Sequence, residues 1–254
     1  MSNNNKKIIQ SVDKAIQIMK CFNNSEELGV TEISKMLNLH KSTTFGLIST
    51  LNANGILEKN DNTGKYKLGL ELYRLGTKVN LSLRGIVIPY LEQLVSIYGE
   101  TANLVILQDT SVIYLEKVES SHSMRISTLV GGKKPVYCTA VGKAMMAFLP
   151  HKDLEDLLCK IKFNKYTDNT IVDKQSLLEF LDEVRKKGYA EDHEELEMGL
   201  HCIAAPILNQ YKHPFAAISV SGPVTRMSED LCKEIGGTLV KFAQEISTKL
   251  GYVQ

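Results

Sequence analysis

Residues 31–55 read TEISKMLNLHKSTTFGLISTLNANG, and the rest of the chain is best read outward from them. Thr31 is expected to cap a short helix in which Ile33, Met36 and Leu37 recur at helical spacing and point inward. Asn38-Leu39-His40 is a polar break holding one apolar residue. A second helix is expected from about Lys41 to Ala53, with Phe45, Ile48 and Leu51 on one face. Asn54-Gly55 closes it, with Gly55 suited to the left-handed position past a helix C-terminus. Two short helices joined by so tight a turn form a helix-turn-helix.

The flanks extend this unit. Upstream, Ser11 is expected to cap a first helix whose inward face is Val12, Ala15, Ile16, Met19 and Phe22. Downstream, ILEKNDNTGKYKLG reads as two short strands about an Asn/Asp/Gly-rich turn, a wing carrying Lys59, Lys65 and Lys67. In a helix-turn-helix the start of the second helix enters the major groove. That start is Lys41, Ser42, Thr43 and Thr44. Lysine reaches phosphates, and the hydroxyls reach phosphates or base edges. A three-helix bundle with an edge hairpin, serving as a protein-interaction module, is the other reading open at this point.

Charge decides little between them. The net charge is +1 over 254 residues. Residues 1–75 hold ten Lys/Arg against seven Asp/Glu, and the remainder is slightly acidic. So mild an asymmetry does not by itself mark a nucleic-acid binder. The composition, 43% hydrophobic and 23% charged, is that of a globular protein. There is no apolar run long enough to span a bilayer and no leader-like N-terminus, and the five dispersed cysteines lack CxxC spacing. These features lead to the expectation of a cytoplasmic protein without disulfides.

Beyond the wing, LGLELYRLGTKVNLSLRGIVIPYLEQLVSIYG is helical in pattern, broken into at least two helices by Gly76, Gly85 and Pro89. Leu70, Leu72, Leu75, Val79, Leu81 and Leu83 form an apolar stripe, which either packs against a second copy of the chain or folds back on the C-terminal part. In that part, strands are expected at ANLVILQ, SVIYLEKV, SMRISTLV, LHCIAAPILN and PFAAISVSG. Helices are expected at TAVGKAMMAFL, HKDLEDLLCKI, DKQSLLEFLDEVRKKG and from Ser228 to Leu250. Sequential strands with flanking helices make an antiparallel α+β domain.

Three segments of it carry polar chemistry. Thr139 is placed to cap a helix beginning at Ala140, whose free amides suit a carboxylate, with Gly142 permitting close approach of a ligand or of backbone. Asp192 and Cys202 flank an acidic loop. Ser219 and Ser221 are two apart on a strand and so share a face. Either these groups line a small polar pocket or the hydroxyls are merely bonded to backbone. No catalytic motif accompanies them, and neighbouring His201 and Cys202 point to opposite faces of a strand, so they are not a nucleophile–base pair. Zinc ligation by Asp192, Cys202 and His193 fits no standard spacing. No metal and no cofactor is assigned. A fused enzyme or metal sensor acting on a small acid remains the alternative.

From about Ile9 to Gly251 the chain resembles the IclR family of bacterial transcription regulators. The resemblance lies in SVDKAIQIM, LNLHKSTTFGLISTLNANGIL, GKYKLGLELYRLG, KKPVYCTAVGKAMMAFLP, GYAEDHEELEMGLHCIAAPI and AAISVSGP. It implies a winged helix-turn-helix (residues 1–69), a linker helix (70–84) and a GAF-like effector domain (85–254). It also implies operator DNA as partner, homodimers or homotetramers, and a small organic acid as effector. The effector would lie against the main chain of Ala140 and Val141, with Asp192, Cys202, Ser219 and Ser221 as polar lining and Ile126 and Leu200 as apolar wall. Two departures stand out. Gly46 replaces an Arg common in the recognition helix, which shifts readout toward Thr44 and Phe45, and Tyr137 replaces a common His.

Overall fold

A computed structural model describes residues 8–77, 82–209 and 211–250. The chain divides into two compact units, Met1–Leu81 and Ser82–Gln254.

In the first unit, α1 (Gln10–Lys20), α2 (Val30–Met36) and α3 (Lys41–Ala53) precede a hairpin of β1 (Leu57–Lys59) and β2 (Tyr66–Leu68), and α4 (Leu70–Gly76) follows. The hairpin gains a third rung where Leu28 pairs with Tyr66. Ile18, Phe22, Ile33, Ile48, Leu57 and Tyr66 are buried together as the core. Burying each such side chain contributes roughly 1.5–3 kcal/mol, which outweighs the weak helix propensity of the Ser/Thr-rich α3. The range of α3 and the left-handed Gly55 (φ 68°) are as expected from sequence.

Several local expectations are corrected. Helix α1 begins at Gln10 with Ile9, not Ser11, at the cap. Its inward residue is Ile18, while Val12 and Ile16 are exposed, so the helix is apolar on two faces. Gly29, not Thr31, caps α2; its amide donates to Glu32 Oε2 at 2.6 Å. Met36 and Phe45 point to solvent, because Ile33, Leu37 and Ile48 already fill the space between the helices.

The second unit opens with α5 (Ser82–Tyr98), which runs through Gly85 and Pro89 without a break. The linker expected over 70–84 is therefore α4, which ends at Gly76, and the start of α5; Val79 and Leu81 lie outside the described residues. A six-stranded antiparallel sheet follows, built from β3 (Thr101–Gln108), β4 (Ser111–Val118), β5 (Lys133–Pro135), β6 (Ala190–His193), β7 (Leu200–Leu208) and β8 (Pro214–Pro223) in the order β5-β4-β3-β8-β7-β6. Helices α6 (Ala140–Ala147), α7 (His151–Leu158) and α8 (Lys174–Lys187) share a core with one face. Helices α5 and α9 (Glu229–Lys249) cover the other. Alternation along the strands feeds both: Ile203, Ala205 and Ile207 face α5 and α9, while Ala204 faces α6. The strand expected at 123–130 does not form, and the edge beyond β4 is taken by β5 instead. The acidic segment read as loop contains β6. Among the described residues no helix is long and apolar enough to cross a membrane.

Helix α6 sits on the sheet because Thr139 Oγ1 accepts from the Gly142 amide at 3.2 Å and Gly142 lies on the backbone before it. A Cβ on Gly142 would stand 1.9 Å from the Val136 carbonyl oxygen. Gly142→Ala is expected to lower the unfolding free energy by about 3 kcal/mol or more, read from urea denaturation. A stability equal to that of the parent would refute this close packing.

Candidate functional site

Two surfaces carry the residues expected to function. The first is the start of α3, reached by the turn in which Asn38 adopts φ 51°. Lys41, Ser42 and Thr43 are exposed there, as is Phe45, 56% exposed. No side chain caps α3, so its first-turn amides stay available to an anion. Thr44 is a correction: it is fully buried, and its hydroxyl donates to the His40 carbonyl at 3.1 Å, so it braces the turn and has no access to DNA. A Cβ on Gly46 would meet nothing within 4 Å, so this position on the outer face is open. On the hairpin, the Lys65 ammonium pairs with Glu32 Oε1 at 3.1 Å and ties the wing to α2.

The second surface is the α6 face of the sheet. Asp192 pairs with Cys202, Cys202 with Ser221, and Ser221 with Thr101, a row across four strands. The adjacent row is Ala190, Ala204, Ser219 and Asn103. With period 2, all eight share one face, and the two alanines leave room above it. Four of the expected site residues, Asp192, Cys202, Ser219 and Ser221, are thus brought together. Among the described residues, the hydroxyls of Ser219 and Ser221 bond side chains and not backbone. Asn103 Nδ2 donates to Ser219 Oγ at 3.3 Å and to Ser221 Oγ at 3.5 Å, and Asn103 Oδ1 accepts from Thr128 Oγ1 at 2.7 Å. Ala140 and Val141 are buried in the first turn of α6, which packs against β7 and β8. Leu200 is buried opposite Pro223 at the start of β7. Ile126 is half-buried, and its carbonyl accepts from Thr101 Oγ1 at 3.2 Å.

Sequence reasoning missed Thr101, Asn103, Thr128, Lys143 and Glu195. The signals for three of them were a Thr-x-Asn pair inside an apolar strand and one lysine inside the apolar run AVGKAMM. Lys143 is fully buried, its ammonium ion-paired with Glu195 and 4.0 Å above the Phe180 ring centroid. Asp192 accepts from the Glu195 amide at 2.9 Å. Burial raises its carboxyl to about 6, with the nearby Lys143 ammonium and the Glu195 amide opposing the rise. Burial also raises the Cys202 and Tyr114 groups, and the charge of Asp192 adds to both shifts. Tyr137 is locked away from this face: its hydroxyl donates to the Asn164 carbonyl at 2.8 Å and accepts from the Asn164 amide at 2.7 Å. The zinc set of Asp192, Cys202 and His193 is split, since His193 lies on the opposite face of β6 from Asp192.

A winged helix-turn-helix followed by an antiparallel sheet flanked by helices defines a two-unit DNA-binding regulator. Residues 11–61 match the family model described as the IclR helix-turn-helix domain. Residues 77–248 match the model described as bacterial transcriptional regulator IclR C-terminal. The chain is 32% identical to the transcriptional regulator KdgR of Escherichia coli, over 96% of this chain and 94% of that one. It is 33% identical to the transcriptional repressor IclR of Escherichia coli, over 96% and 90%. The solved IclR of Thermotoga maritima superposes with TM-score 0.76 at 31% identity, over 96% and 99%. An IclR-type regulator from Alicyclobacillus acidocaldarius gives 0.85 at 27%, over 96% and 100%. The chain belongs to the IclR family of transcription regulators. It is a DNA-binding regulator of transcription.

The raised carboxyl of Asp192 has a definite sign in stability. Its contribution is fullest while it is protonated, near and below the ordinary aspartate range, and is lost as pH rises to about 6. Asp192→Asn keeps the acceptor for the Glu195 amide. In urea unfolding it should exceed the parent by as much as ~3 kcal/mol at neutral pH, converging with it near pH ~4. A variant less stable than the parent at neutral pH would overturn the assignment.

Proposed function

We propose that this regulator binds double-stranded operator DNA as a homodimer or homotetramer, and that a small organic acid controls its operator affinity. The observation that carries the effector reading is the pair of polar cross-strand rows under the N-terminus of α6. A carboxylate held by the amides of Ala140 and Val141 would meet the hydroxyls of Ser219 and Ser221, and Ile126 and Leu200 would supply apolar wall. Asp192 would accept from an effector hydroxyl, or hold a proton beside the carboxylate, consistent with its raised carboxyl. In the second arrangement binding takes up a proton, so affinity for an anionic acid should fall as pH rises above about 6.

On DNA, Ser42, Thr43 and Phe45 would read base edges from the major groove, while Lys41 and the wing's Lys65 neutralise phosphates. Lys65 must leave Glu32 or share it, so its contribution should be smaller than that of Lys41. Self-association is supported by the exposed apolar residues Ile9, Val12 and Ile16 on and before α1, and Leu70 and Tyr73 on α4. A dimer holds two recognition helices at one half-site spacing. An effector that binds one arrangement better by about 1–3 kcal/mol changes operator affinity 5–150-fold. Its place of action is the cytoplasm, where the DNA is.

Fluorescence anisotropy with the DNA upstream of its own gene tests the DNA reading. Lys41→Ala should weaken binding to every sequence several-fold and reduce the salt slope by about one. Unchanged binding would refute the docking. For the sensor, organic acids that raise the melting temperature should alter operator affinity in the parent. In Ser221→Ala that response should be lost with the affinity for DNA intact. A response undiminished in Ser221→Ala would remove this pocket from the mechanism.

A further inference from the structure

The sheet face opposite those polar rows carries a second cluster, which the function above does not use. His201 on β7 points toward α9, away from Cys202. Its Nε2 lies 3.2 Å from Glu191 Oε2 on β6 and 3.9 Å from Cys232 Sγ in the first turns of α9. The ligand atoms of all three residues lie within 4.8 Å of one another. His201 and Cys232 are buried, and Glu191 is half-buried, with 31% of its side chain accessible.

We propose that Glu191, His201 and Cys232 form a binding site for a soft divalent transition-metal ion of the zinc class, with water in the fourth position. The residue types are the thiolate, imidazole and carboxylate that such ions take. Tetrahedral coordination at the usual Zn–S, Zn–N and Zn–O lengths of about 2.0–2.3 Å separates ligand atoms by roughly 3.4–3.6 Å. The separations of 3.2 Å and 3.9 Å from His201 Nε2 bracket that value, and the Glu191–Cys232 pair, within 4.8 Å, closes by up to about an ångström on binding through the Glu191 side chain. A plain hydrogen-bonded chain explains the cluster less well. The thiol donates to the Met227 carbonyl at 3.6 Å and lies 3.6 Å from His201 Nδ1, while Glu191 Oε2 takes the other ring nitrogen, so all three ligand atoms converge on one imidazole.

Access also fits. Burial raises the Cys232 thiol, and the carboxylates of Glu191 and Glu229 add to the rise, so an ion must displace its proton. The thiol proton leaves to solvent on binding, and the imidazole binds neutral. Glu191 opens onto a cleft of about 230 Å³ between α8 and β6, lined also by Glu183, Tyr189 and His193, which gives the ion a path. The His193 ring stacks on that of His201 at 4.5 Å between centroids, holding the ligand's orientation from the second coordination shell. A bound ion would tie the edge strand β6 to α9. The assignment stands independently of the effector reading, because it uses the other face of the sheet.

Cobalt(II) titration of reduced, metal-stripped, full-length protein tests it. The expected result is one Co²⁺ per chain, a thiolate-to-cobalt charge-transfer band in the near ultraviolet, and its loss on adding Zn²⁺. Cys232→Ser should abolish the band, Glu191→Gln should weaken affinity at least about tenfold, and Cys159→Ser should leave the band and the affinity unchanged. Zn²⁺ should raise the melting temperature of the parent but not of Cys232→Ser. No band in the parent, or a band that survives Cys232→Ser, would overturn the proposal. If Cys232→Ser fails to fold, undiminished cobalt affinity in Glu191→Gln would do the same.

Discussion

The register of β7 between β6 and β8 is the constraint on which the second unit depends. With Cys202 opposite Asp192 on one side and Ser221 on the other, Cys202 and Ala204 face α6 while Ile203, Ala205 and Ile207 face α5 and α9. A slip of one residue would drive Ile203, Ala205 and Ile207 out of their core and exchange the two chemical faces. The apolar residues enforce the register, and the polar ones are carried along with it. That is how one pair of adjacent residues, His201 and Cys202, serves two unrelated environments only a strand's thickness apart.

Charge burial on the α6 face sets the character of that environment. Lys143 is fully enclosed and is tolerable there because Glu195 neutralises it and the Phe180 ring lies against it. Taking such a pair out of water costs several kcal/mol per ion before their mutual attraction offsets it. Next to this pair, burial raises the proton affinity of Asp192, the Glu195 carboxylate adds a little to the rise, and the Lys143 ammonium opposes it. The site therefore resists a further negative charge unless a proton accompanies it.

The first unit follows a different logic, in which the core leaves little freedom and the working residues are those it does not need. Helix α3 has only Thr44 and Ile48 fully buried, with Leu47, Ser49 and Leu51 half-buried, and the rest of its surface is open. The Thr44 hydroxyl returns to the His40 carbonyl and steadies the turn that aims the helix. Thr43 and Thr44 are identical in composition and adjacent in sequence, yet one is available to a ligand and the other is structural.

Much of this was legible in the amino-acid order alone. Helical periodicity, the Gly55 stop and the Thr139 cap outlined the elements, and strand alternation put Ser219 and Ser221 on one face. Local order determines such features because they arise between residues a few positions apart. Non-local pairing decided the rest. It displaced the strand expected at 123–130, turned an acidic loop into β6, sank Thr44, and joined Asn103 to two serines more than a hundred residues away. Likewise, Glu191 and Cys232 meet at His201 only because β6 and α9 close on β7, and no short-range pattern records which distant segments will share a wall.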